Sequence, residues 1–411
     1  MIQILRTILT LSLVGVSTSL WAENPPRPTT QDHQHYVIVL SMDGFRHDLA
    51  DHSNTPTLDS LARVGCYSEI YPVFPANTFP NHYTIATGLH PDHHGVVNNS
   101  FYDHKSHCYR SVFKAEDVRT PDFWAGDPIW NTAERQGKLA NIFMWPGSDV
   151  PINGEQASSW MVYNSKPSYH ERADWVIEAM TRPIDEIPNL VMWYFEQPDM
   201  AGHYFGPNSP EAIAQAERID KALAYFFREI RRSPVYDRIN FIVTADHGMT
   251  ALSEERRENL YNLLDTTKVI RTVKGSPYGL EVHNSYKKEA LRLIRQTGHI
   301  SAWEREKVPA RYHYGSRKDR LTNLILLPKM GWTIDYSPSP RPLRKKGSHG
   351  FDNFSRDMQM VFYATGPAFK QGHVQKSFQN VNLYQIICHL LDITPSPNDG
   401  EWRKVKKMFR E

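Results

Sequence analysis

Aspartate and histidine side chains occur at three places in the chain with spacings that suit metal ions. Asp199 and His203 are four residues apart, Asp246 and His247 are adjacent, and His349 lies in a Gly-Ser-His-Gly sequence. Carboxylate oxygens and imidazole nitrogens in this mixture favour zinc, with manganese a weaker alternative. Taken singly, such a histidine is more often a hydrogen-bonded structural residue, and such an aspartate a cap or turn residue. Whether these residues bind a metal ion therefore depends on how close together the fold places them.

A hydroxyl that could act as a nucleophile lies in the segment Pro75–Gly88. Thr78 stands in a proline-bounded turn, ahead of residues that can begin a helix at Asn81, where backbone N–H groups favour anions. A threonine hydroxyl is a poor nucleophile at neutral pH unless a base or a metal holds it as the alkoxide. Within this segment only His82 could serve as a base. On this segment alone, a threonine in an ordinary helix cap is the commoner interpretation.

The elements that must position these side chains alternate between strands and helices. Short continuous apolar runs, typical of buried parallel strands, are found at Tyr36–Met42, Leu139–Trp145, Leu190–Phe195, Ile239–Ala245, Asn323–Leu327 and Met358–Ala364. Helical patterns lie between them, notably at Asn54–Gly65, Asp174–Thr181 and Pro210–Arg231. This alternation predicts an α/β fold with a mostly parallel central sheet and helices on both faces.

Several candidate ligands follow these predicted strands. In open α/β sheets ligands bind beyond the carboxyl ends of the strands, because the ends of parallel strands meet at one edge. Asp43 follows the first strand directly and is itself followed by glycine. The candidate metal ligands are Asp43, Asp199, His203, Asp246, His247 and His349. With the Thr78 oxygen they suffice for two neighbouring divalent ions, and their convergence on one edge is poorly explained by chance.

The N-terminal residues 1–22 have the pattern of a secretory signal peptide. Arg6 precedes an apolar, hydroxyl-rich run that ends near Ala22. A membrane anchor is the alternative, but the run is short and rich in Ser and Thr for a spanning helix. We therefore expect an exported protein, periplasmic or secreted, with no stable membrane anchor.

Composition adds little about partners. A formal charge of +2 with 22% charged residues gives no reason to expect binding to a nucleic-acid duplex. The cysteines Cys66, Cys108 and Cys388 allow at most one internal disulfide, whose pairing is undecided, as is the oligomeric state.

We place the domain boundaries where the charge composition and the alternation of apolar and polar residues change. A catalytic domain is expected over residues 36–400, after a leader at 23–35 and before a C-terminal tail at 401–411. Residues 252–344 have mixed charge and weak alternation, which indicates an inserted subdomain that walls one side of the site or a solvated surface excursion. A basic cluster at and just beyond the end of this segment could meet substrate phosphates, although charge runs are usually solvated loops. The cluster consists of Arg341, Arg344, Lys345 and Lys346.

Seven motifs, in the same order along the chain, resemble those of the nucleotide pyrophosphatase/phosphodiesterase family of the alkaline phosphatase superfamily. They are Asp43-Gly-Phe-Arg46, Asn77-Thr-Phe-Pro-Asn-His-Tyr83 with Thr87-Gly88, His94-Gly-Val-Val-Asn-Asn99, Met144-Trp-Pro-Gly-Ser-Asp149, Glu196-Gln-Pro-Asp-Met-Ala-Gly-His203, Thr244-Ala-Asp-His-Gly-Met249 and Gly347-Ser-His-Gly-Phe-Asp352. The resemblance spans about Tyr36 to Gly400, nearly the whole mature chain.

The resemblance implies a two-zinc phosphodiesterase with an alkaline-phosphatase-like fold. It implies two ligand sets, which are Asp199, His203 and His349 for one ion and Asp43, Asp246, His247 and the Thr78 oxygen for the other. It also implies that Thr78 attacks phosphorus and that water then hydrolyses the phospho-threonine. Asn99 would support the phosphate oxygens together with the Thr78 backbone N–H.

The resemblance further implies a small-molecule nucleotide substrate, cleaved at a phosphodiester or pyrophosphate bond to release a nucleoside 5′-monophosphate. Phe79 and Tyr194 lie where nucleotide-hydrolysing relatives stack the base, although two core aromatics are the alternative interpretation. Trp145 and Trp160 could line the same cleft. The pattern differs from that of sulfatases, which require arginine where this chain has His82, and no arginine matches that of the monoesterases.

Three alternative functions stay open at this point. Choline-type glycerophosphodiesters or lysophospholipids could be cleaved by the same metal core, with the aromatic residues forming a cation cage. Phosphonate hydrolysis is a second alternative. A non-catalytic zinc-binding protein is the third, and it is disfavoured because storage of zinc needs no Thr78.

Overall fold

The computed structural model describes residues 35–410. The predicted signal peptide, and the leader up to residue 34, lie outside the described residues. The strands are β1 (Tyr36–Met42), β2 (Cys66–Ile70), β3 (Ser100–Asp103), β4 (Cys108–Ser111), β5 (Ala140–Phe143), β6 (Ser159–Met161), β7 (Leu190–Phe195), β8 (Ile239–Thr244), β9 (Thr250–Ala251), β10 (Arg257–Asn259), β11 (Val269–Val273), β12 (Tyr278–Val282), β13 (Ile300–Glu304), β14 (Leu324–Pro328), β15 (Thr333–Asp335), β16 (Gly347–Ser348), β17 (Met360–Thr365) and β18 (His373–Val374).

The α-helices are α1 (Pro56–Val64), α2 (Thr78–Thr87), α3 (Pro91–His94), α4 (Ala115–Val118), α5 (Ile129–Glu134), α6 (Tyr169–Met180), α7 (Asp199–Phe205), α8 (Pro210–Glu229), α9 (Lys287–Gln296), α10 (Leu383–Leu391) and α11 (Trp402–Val405). Among residues 35–410, no helix has the length and apolar character needed to cross a membrane.

The centre of the molecule is an eight-stranded sheet with the order β18-β2-β17-β8-β1-β7-β5-β6. Strands β1, β7 and β8 are buried at every residue, as expected where helices cover both faces of a parallel sheet. One group of helices, α1, α6 and α8, packs together, and a second group comprises α2, α5 and α10. This architecture confirms the predicted α/β fold with a mostly parallel sheet.

Strand β17 is the one strand of this sheet that runs against the others. It pairs antiparallel with β8 on one side and with β2 on the other. Its first residue therefore lies at the same sheet edge as the last residues of β1, β7 and β8. This reversal explains how His349, which precedes its strand, meets aspartates that follow theirs.

A second, smaller sheet forms within the segment predicted as an insertion. Its four strands have the order β11-β12-β14-β13 and are all antiparallel to their neighbours. The run at 323–327 was therefore wrongly grouped with the central parallel strands, because it forms β14 of this sheet. The small sheet and α9 bury their own apolar cluster, which includes Leu260, Leu280 and Leu326.

The small sheet is not an isolated module. Tyr312 and Tyr314, from the loop between β13 and β14, pack their rings on Phe74 of the main core at 4.4 and 5.1 Å between ring centroids. The boundaries at residues 252 and 344 stay a prediction. At the C-terminus, Val405 and Met408 are buried against the core.

Two helices begin earlier than their patterns predict, for local reasons. Helix α6 starts at Tyr169 because Ser168 and Glu171 form a reciprocal capping box. Helix α2 starts at Thr78 and not at Asn81, since proline at position 80 is still within the first turn, where it needs no hydrogen-bonded N–H.

A buried carboxylate ties α8 to the start of α1. Asp220 is 2% exposed, and its two carboxylate oxygens accept from the backbone N–H groups of Leu58 and Thr57 at 2.9 and 3.2 Å. These are first-turn N–H groups with no partner inside the helix, and the N-cap residue Thr55 makes no side-chain cap. Asp220→Ala should lower the free energy of unfolding by about 1–2 kcal/mol, measured by urea denaturation.

The control for this prediction is Asp59→Ala, which removes an exposed carboxylate from the same first turn of α1. It should cost less than about 1 kcal/mol, because only the interaction with the helix dipole is lost. Equal losses in the two variants would contradict a capping role for Asp220.

Candidate active site

The candidate ligands come together at one edge of the central sheet. Asp43 directly follows β1, Asp246 and His247 follow the end of β8, Asp199 opens α7 beyond the end of β7, and His349 precedes β17. Thr78, the first residue of α2, lies against the same edge. The residues predicted from separate motifs are thus neighbours in space.

The first ligand set consists of Asp199, His203 and His349. The His203 Nε2 atom lies 3.4 Å from Asp199 Oδ2, and the His349 Nε2 atom lies 3.6 Å from Asp199 Oδ1. The two imidazole Nε2 atoms are 3.2 Å apart. One oxygen or nitrogen from each residue falls within 4.8 Å of the others, which is close enough for a single ion.

The second ligand set consists of Asp43, Asp246 and His247, with Thr78 beside it. The His247 Nε2 atom lies 3.1 Å from Asp246 Oδ2 and 3.5 Å from Asp43 Oδ1. The Thr78 Oγ1 atom is 3.1 Å from the same nitrogen. The rings of His247 and His349 stack at 3.7 Å between centroids, so the two ligand sets adjoin each other.

The histidine rings of both sets are held in one orientation by the backbone. The Nδ1 atoms of His203, His247 and His349 lie 2.8, 2.9 and 3.0 Å from the carbonyl oxygens of Gly347, Gly248 and Ala76, respectively. Because a carbonyl only accepts, each Nδ1 carries the proton and donates it. Each Nε2 then presents a lone pair to its cluster, which is the arrangement typical of metal-binding histidines.

Each carboxylate of the two sets has an oxygen atom without a hydrogen-bond donor among residues 35–410, and a bound cation could pair with it. Asp43 Oδ1, Asp199 Oδ1 and Asp246 Oδ2 are buried and accept no hydrogen bond from any described residue. Burial raises the pKa of Asp246 to about 8. Burial, followed by repulsion from Asp246 and Asp199, raises the pKa of Asp43 well above its usual value. The residues therefore fit a pair of divalent cations, and their chemistry suits zinc.

Gly44 allows the two ligand sets to approach each other. It adopts φ +68°, and a Cβ atom at this position would lie 2.9 Å from both Cα and Cβ of Asp199. Its backbone N–H donates to Asp246 Oδ1 at 3.0 Å. Only glycine meets both requirements without displacing a ligand.

Thr78 and Asn99 lie where an anion would be bound. The backbone N–H of Thr78, at the first position of α2, has no acceptor inside the helix, and the positive end of the helix dipole lies beside the Thr78 hydroxyl. The Asn99 side-chain oxygen accepts from the Phe79 N–H at 3.3 Å, which leaves its amide N–H groups for other partners. Both Thr78 and Asn99 line the cleft described below.

His82 does not reach the Thr78 hydroxyl, so the interpretation of His82 as its base is wrong. One ring nitrogen lies 2.9 Å from the Thr78 backbone oxygen and the other 2.8 Å from Ser41 Oγ. Burial lowers the pKa of His82 to about 4. The ring thus braces the first turn of α2 against β1.

A cleft of about 730 Å³ opens beside the two ligand sets, and aromatic side chains line much of it. Phe79 lies nearly parallel to Trp124, with 6.4 Å between ring centroids. Tyr163 is 50% exposed on the cleft wall. Trp145 also lines the cleft, whereas Trp160 is not among the described residues that do so.

Tyr194 lines the cleft, and its hydroxyl is hydrogen-bonded to a candidate metal ligand. It is 8% exposed, and its hydroxyl donates to Asp43 Oδ2 at 2.5 Å. Its ring stands nearly perpendicular to that of Tyr163, with 6.0 Å between centroids. Tyr194 therefore orients the Asp43 carboxylate in addition to forming part of the wall.

Sequence reasoning missed three residues of this region, namely Trp124, Tyr163 and Arg172. The guanidinium of Arg172, buried to 1% exposure, donates to Glu196 Oε2 at 2.6 Å and to the Tyr194 backbone oxygen at 3.2 Å. It thereby fixes the segment between β7 and α7. Trp124 and Tyr163 lie outside the regular elements, so no periodic pattern marks them, and their tryptophan and tyrosine types were the one available signal.

Comparison with known proteins agrees with this geometry. The model of the family described as type I phosphodiesterase / nucleotide pyrophosphatase matches residues 37–352. The bis(5′-adenosyl)-triphosphatase enpp4 of Xenopus laevis is 33% identical over 373 residues, which cover 90% of this chain and 80% of that protein. Ectonucleotide pyrophosphatase/phosphodiesterase family member 1 of Homo sapiens is 33% identical over 380 residues, or 89% of this chain, but only 40% of that protein is covered.

Solved structures of murine ectonucleotide pyrophosphatase/phosphodiesterase 5 have the same fold. One superposes with a TM-score of 0.85 at 31% identity and covers 91% of this chain and 100% of that one. A second, of an inactive threonine-to-alanine variant in complex with AMP, gives a TM-score of 0.85 at 30% identity, with 92% and 100% coverage.

A mostly parallel sheet with two adjoining Asp/His sets at one edge defines a protein of the alkaline-phosphatase-like class. More narrowly, the chain belongs to the type I phosphodiesterase / nucleotide pyrophosphatase family. The family and fold predicted from the motifs are confirmed, and the predicted enzyme class, a hydrolase of phosphoric ester or anhydride bonds, is that of the family. The chain spans about two fifths of the length of the human family member 1.

The hydrogen bond from Tyr194 to Asp43 yields a first prediction for this site. Tyr194→Phe keeps the ring but removes the donor that orients the Asp43 carboxylate, so zinc affinity should fall by about tenfold, measured by competition with a chromogenic chelator. Tyr163→Phe is the matched control, because its ring has no hydrogen bond to a proposed ligand among the described residues. An unchanged zinc affinity in Tyr194→Phe would contradict the orienting role.

The raised carboxylate pKa values yield a second prediction, for pH dependence. A carboxylate whose folded-state pKa is raised binds more protons folded than unfolded, so the metal-free protein loses stability as the pH rises from about 4 to 8. Zinc must displace these protons, so its stabilisation should grow over the same range. The difference in Tm between zinc-loaded and chelated protein should be several degrees larger at about pH 8 than at about pH 5. A difference that shrinks with rising pH would contradict this.

Proposed function

We propose that this protein is a two-zinc phosphodiesterase/pyrophosphatase that hydrolyses nucleotides and releases a nucleoside 5′-monophosphate. The observation that carries the proposal is the position of Thr78 Oγ1, 3.1 Å from His247 Nε2 at the start of a helix. Further support comes from the murine relative with bound AMP, whose threonine-to-alanine variant is inactive.

The cations would be held by the two ligand sets. Asp199, His203 and His349 would bind one zinc ion, and the second set together with Thr78 would bind the other. When bound, two such cations supply positive charge that stabilises the Thr78 alkoxide and the oxygen of the leaving group.

The residues of the chain itself would carry out the rest of the reaction. Thr78 Oγ, after losing its proton to solvent, forms a bond to phosphorus as the bond to the leaving oxygen breaks. The Thr78 backbone N–H and the Asn99 amide donate to the non-bridging oxygens during this step. Water then attacks the phospho-threonine, which releases the nucleoside monophosphate and restores the Thr78 hydroxyl.

The nucleoside would be bound by the aromatic wall of the cleft. Phe79 and Tyr194, together with Tyr163, offer ring surfaces to a base, and stacking of this kind tolerates any base because each has a π-face. Tyr163 has the most exposed of these rings and Tyr194 the least. The proposed partner is thus a small-molecule nucleotide.

A second candidate substrate is a choline-type phosphodiester. It is favoured by acidic and aromatic residues on the same wall, since Glu196, Trp124 and Tyr163 all line the cleft. Such a set can bind a quaternary ammonium group through cation–π contacts. Glu196 is paired with Arg172, however, which reduces the negative charge that a choline head group would meet.

We also propose that the protein acts after export from the cytoplasm. The support for this is the predicted signal peptide at residues 1–22. Several relatives are named ectonucleotide or venom phosphodiesterases, which is a statement about those proteins.

A substrate panel tests the proposed function. The purified zinc-loaded protein should hydrolyse an aryl ester of thymidine monophosphate faster than an aryl phosphorylcholine, and much faster than an aryl monophosphate. Faster hydrolysis of the aryl phosphorylcholine would favour the choline-type substrate. Hydrolysis of the aryl monophosphate at a rate comparable to that of the diesters would contradict a preference for diesters.

Substitution of the nucleophile tests the covalent route. Thr78→Ala should reduce kcat by at least about a thousandfold while zinc content stays at two ions per chain. Thr78→Ser keeps a hydroxyl and serves as the control, with measurable residual activity. Near-normal turnover in Thr78→Ala would contradict a phospho-threonine intermediate.

A further inference from the structure

Two lysines reach the wall of the active-site cleft, Lys274 from within the segment predicted as an insertion and Lys345 from just beyond its end. Both line the cleft that contains Thr78 and the first ligand set. Both are exposed, and neither ammonium group forms an ion pair or a hydrogen bond with another of residues 35–410, although Lys345 lies within electrostatic reach of Asp199. They are therefore positive charges available to a ligand in the cleft.

The backbone on each side of these lysines is attached to the catalytic edge. Ser276, two residues after Lys274, accepts from Asn77 Nδ2 at 2.8 Å through its carbonyl and donates from its hydroxyl to the Gly350 carbonyl at 3.0 Å. Lys345 lies four residues before His349. The next N–H in the chain, that of Lys346, donates to the His203 carbonyl at 2.8 Å. Both lysines are thus placed relative to the nucleophile and the first ligand set.

Among the described residues that line the cleft, the carboxylates outside the two ligand sets interact with arginines and provide no counterion for these lysines. Glu196 is neutralised by Arg172 at 2.6 Å, and Asp149 lies within electrostatic reach of Arg119. The three ligand aspartates would be balanced by two divalent cations. A substrate with more than one phosphoryl group would therefore have these lysines as the positive groups that can bind its additional phosphates.

We propose that Lys274 and Lys345 form a subsite for a leaving group that itself carries phosphate charge, such as pyrophosphate or a nucleotide. The proposed substrate class is thereby narrowed to nucleoside polyphosphates, and it rests on the proposed function of the same site. Lys345 lies within electrostatic reach of Asp199 in the first ligand set. An in-line displacement directs the leaving group away from Thr78, and we place that group beside this set.

The other members of the predicted basic cluster do not share this position. Arg341, Arg344 and Lys346 are exposed and are not among the described residues that line the cleft. Only one residue of the four is thus suited to bind substrate phosphates, and it is joined by Lys274 from a different loop.

The test compares two substrates with the same nucleotidyl part but different leaving groups. The aryl ester of thymidine monophosphate has a leaving group without phosphate, and thymidine triphosphate has pyrophosphate. In Lys274→Gln/Lys345→Gln, kcat/KM for the triphosphate should fall at least about tenfold more than kcat/KM for the aryl ester. Arg344→Gln/Lys346→Gln is the matched control, because it removes two neighbouring charges outside the cleft and should leave the ratio of the two values unchanged.

A second readout is the dependence on salt. In the unsubstituted protein, kcat/KM for the triphosphate should decline more steeply with ionic strength than that for the aryl ester, and the difference should largely disappear in the lysine double variant. Equal losses with both substrates, or no loss with the triphosphate, would overturn the subsite. Unsubstituted protein that hydrolyses neither nucleotide would instead overturn the proposed function on which the subsite rests.

Discussion

The structure depends on the repulsion among three carboxylates that the fold brings to one place. Asp43 and Asp246 are buried, the side chain of Asp199 is only 13% exposed, and each has a buried oxygen that accepts no hydrogen bond from residues 35–410. Such a cluster is unfavourable in a protein interior unless the carboxylates are protonated or share cations. The histidines of the two ligand sets are suited to share such cations, because their Nε2 lone pairs face the same two ligand clusters as the carboxylate oxygens that lack hydrogen-bond donors within the described chain. The site is thus built for bound cations at the expense of the metal-free fold.

The sheet supplies the rigidity that such a cluster requires. Parallel strands β1, β7 and β8 deliver the aspartates from their carboxyl ends, and the reversed strand β17 brings His349 to the same edge from its amino end. Gly44 removes the side chain that would separate the ligand sets. Helix α2 then places Thr78 beside His247, with the Thr78 backbone N–H at the amino end of the helix, where an anion is favoured. Each of these features acts at the same edge, so Thr78, the candidate ligands and the cleft are all attached to the central sheet.

Much of this could be predicted from the sequence, for identifiable reasons. A strand buried on both faces is a continuous apolar run, so β1 and β7 were predicted at their observed bounds, and the residues just beyond them, including Asp43, were natural candidates. The direction in which a strand runs within the sheet, by contrast, produces no recognisable pattern in the sequence. The antiparallel course of β17, and the place of β14 in a separate sheet, both depend on pairing between distant segments.

Side chains that act through long-range contacts were the hardest to predict. Arg172 positions the end of β7 and the segment after it, because its guanidinium donates hydrogen bonds to Tyr194 and Glu196, which are twenty-two residues or more away along the chain. The Tyr194 hydroxyl matters because it meets Asp43, and His82 is excluded as a base because both its nitrogens are already engaged. Neither residue type nor spacing reveals such pairings, which emerge only when the elements pack.

The two proposed cation sites can be located by anomalous diffraction from crystals of the zinc-loaded protein, with data collected on both sides of the zinc absorption edge. We expect two zinc peaks, one within bonding distance of Asp199, His203 and His349 and the other within bonding distance of Asp43, Asp246 and His247. A single peak, or peaks away from these side chains, would contradict this expectation.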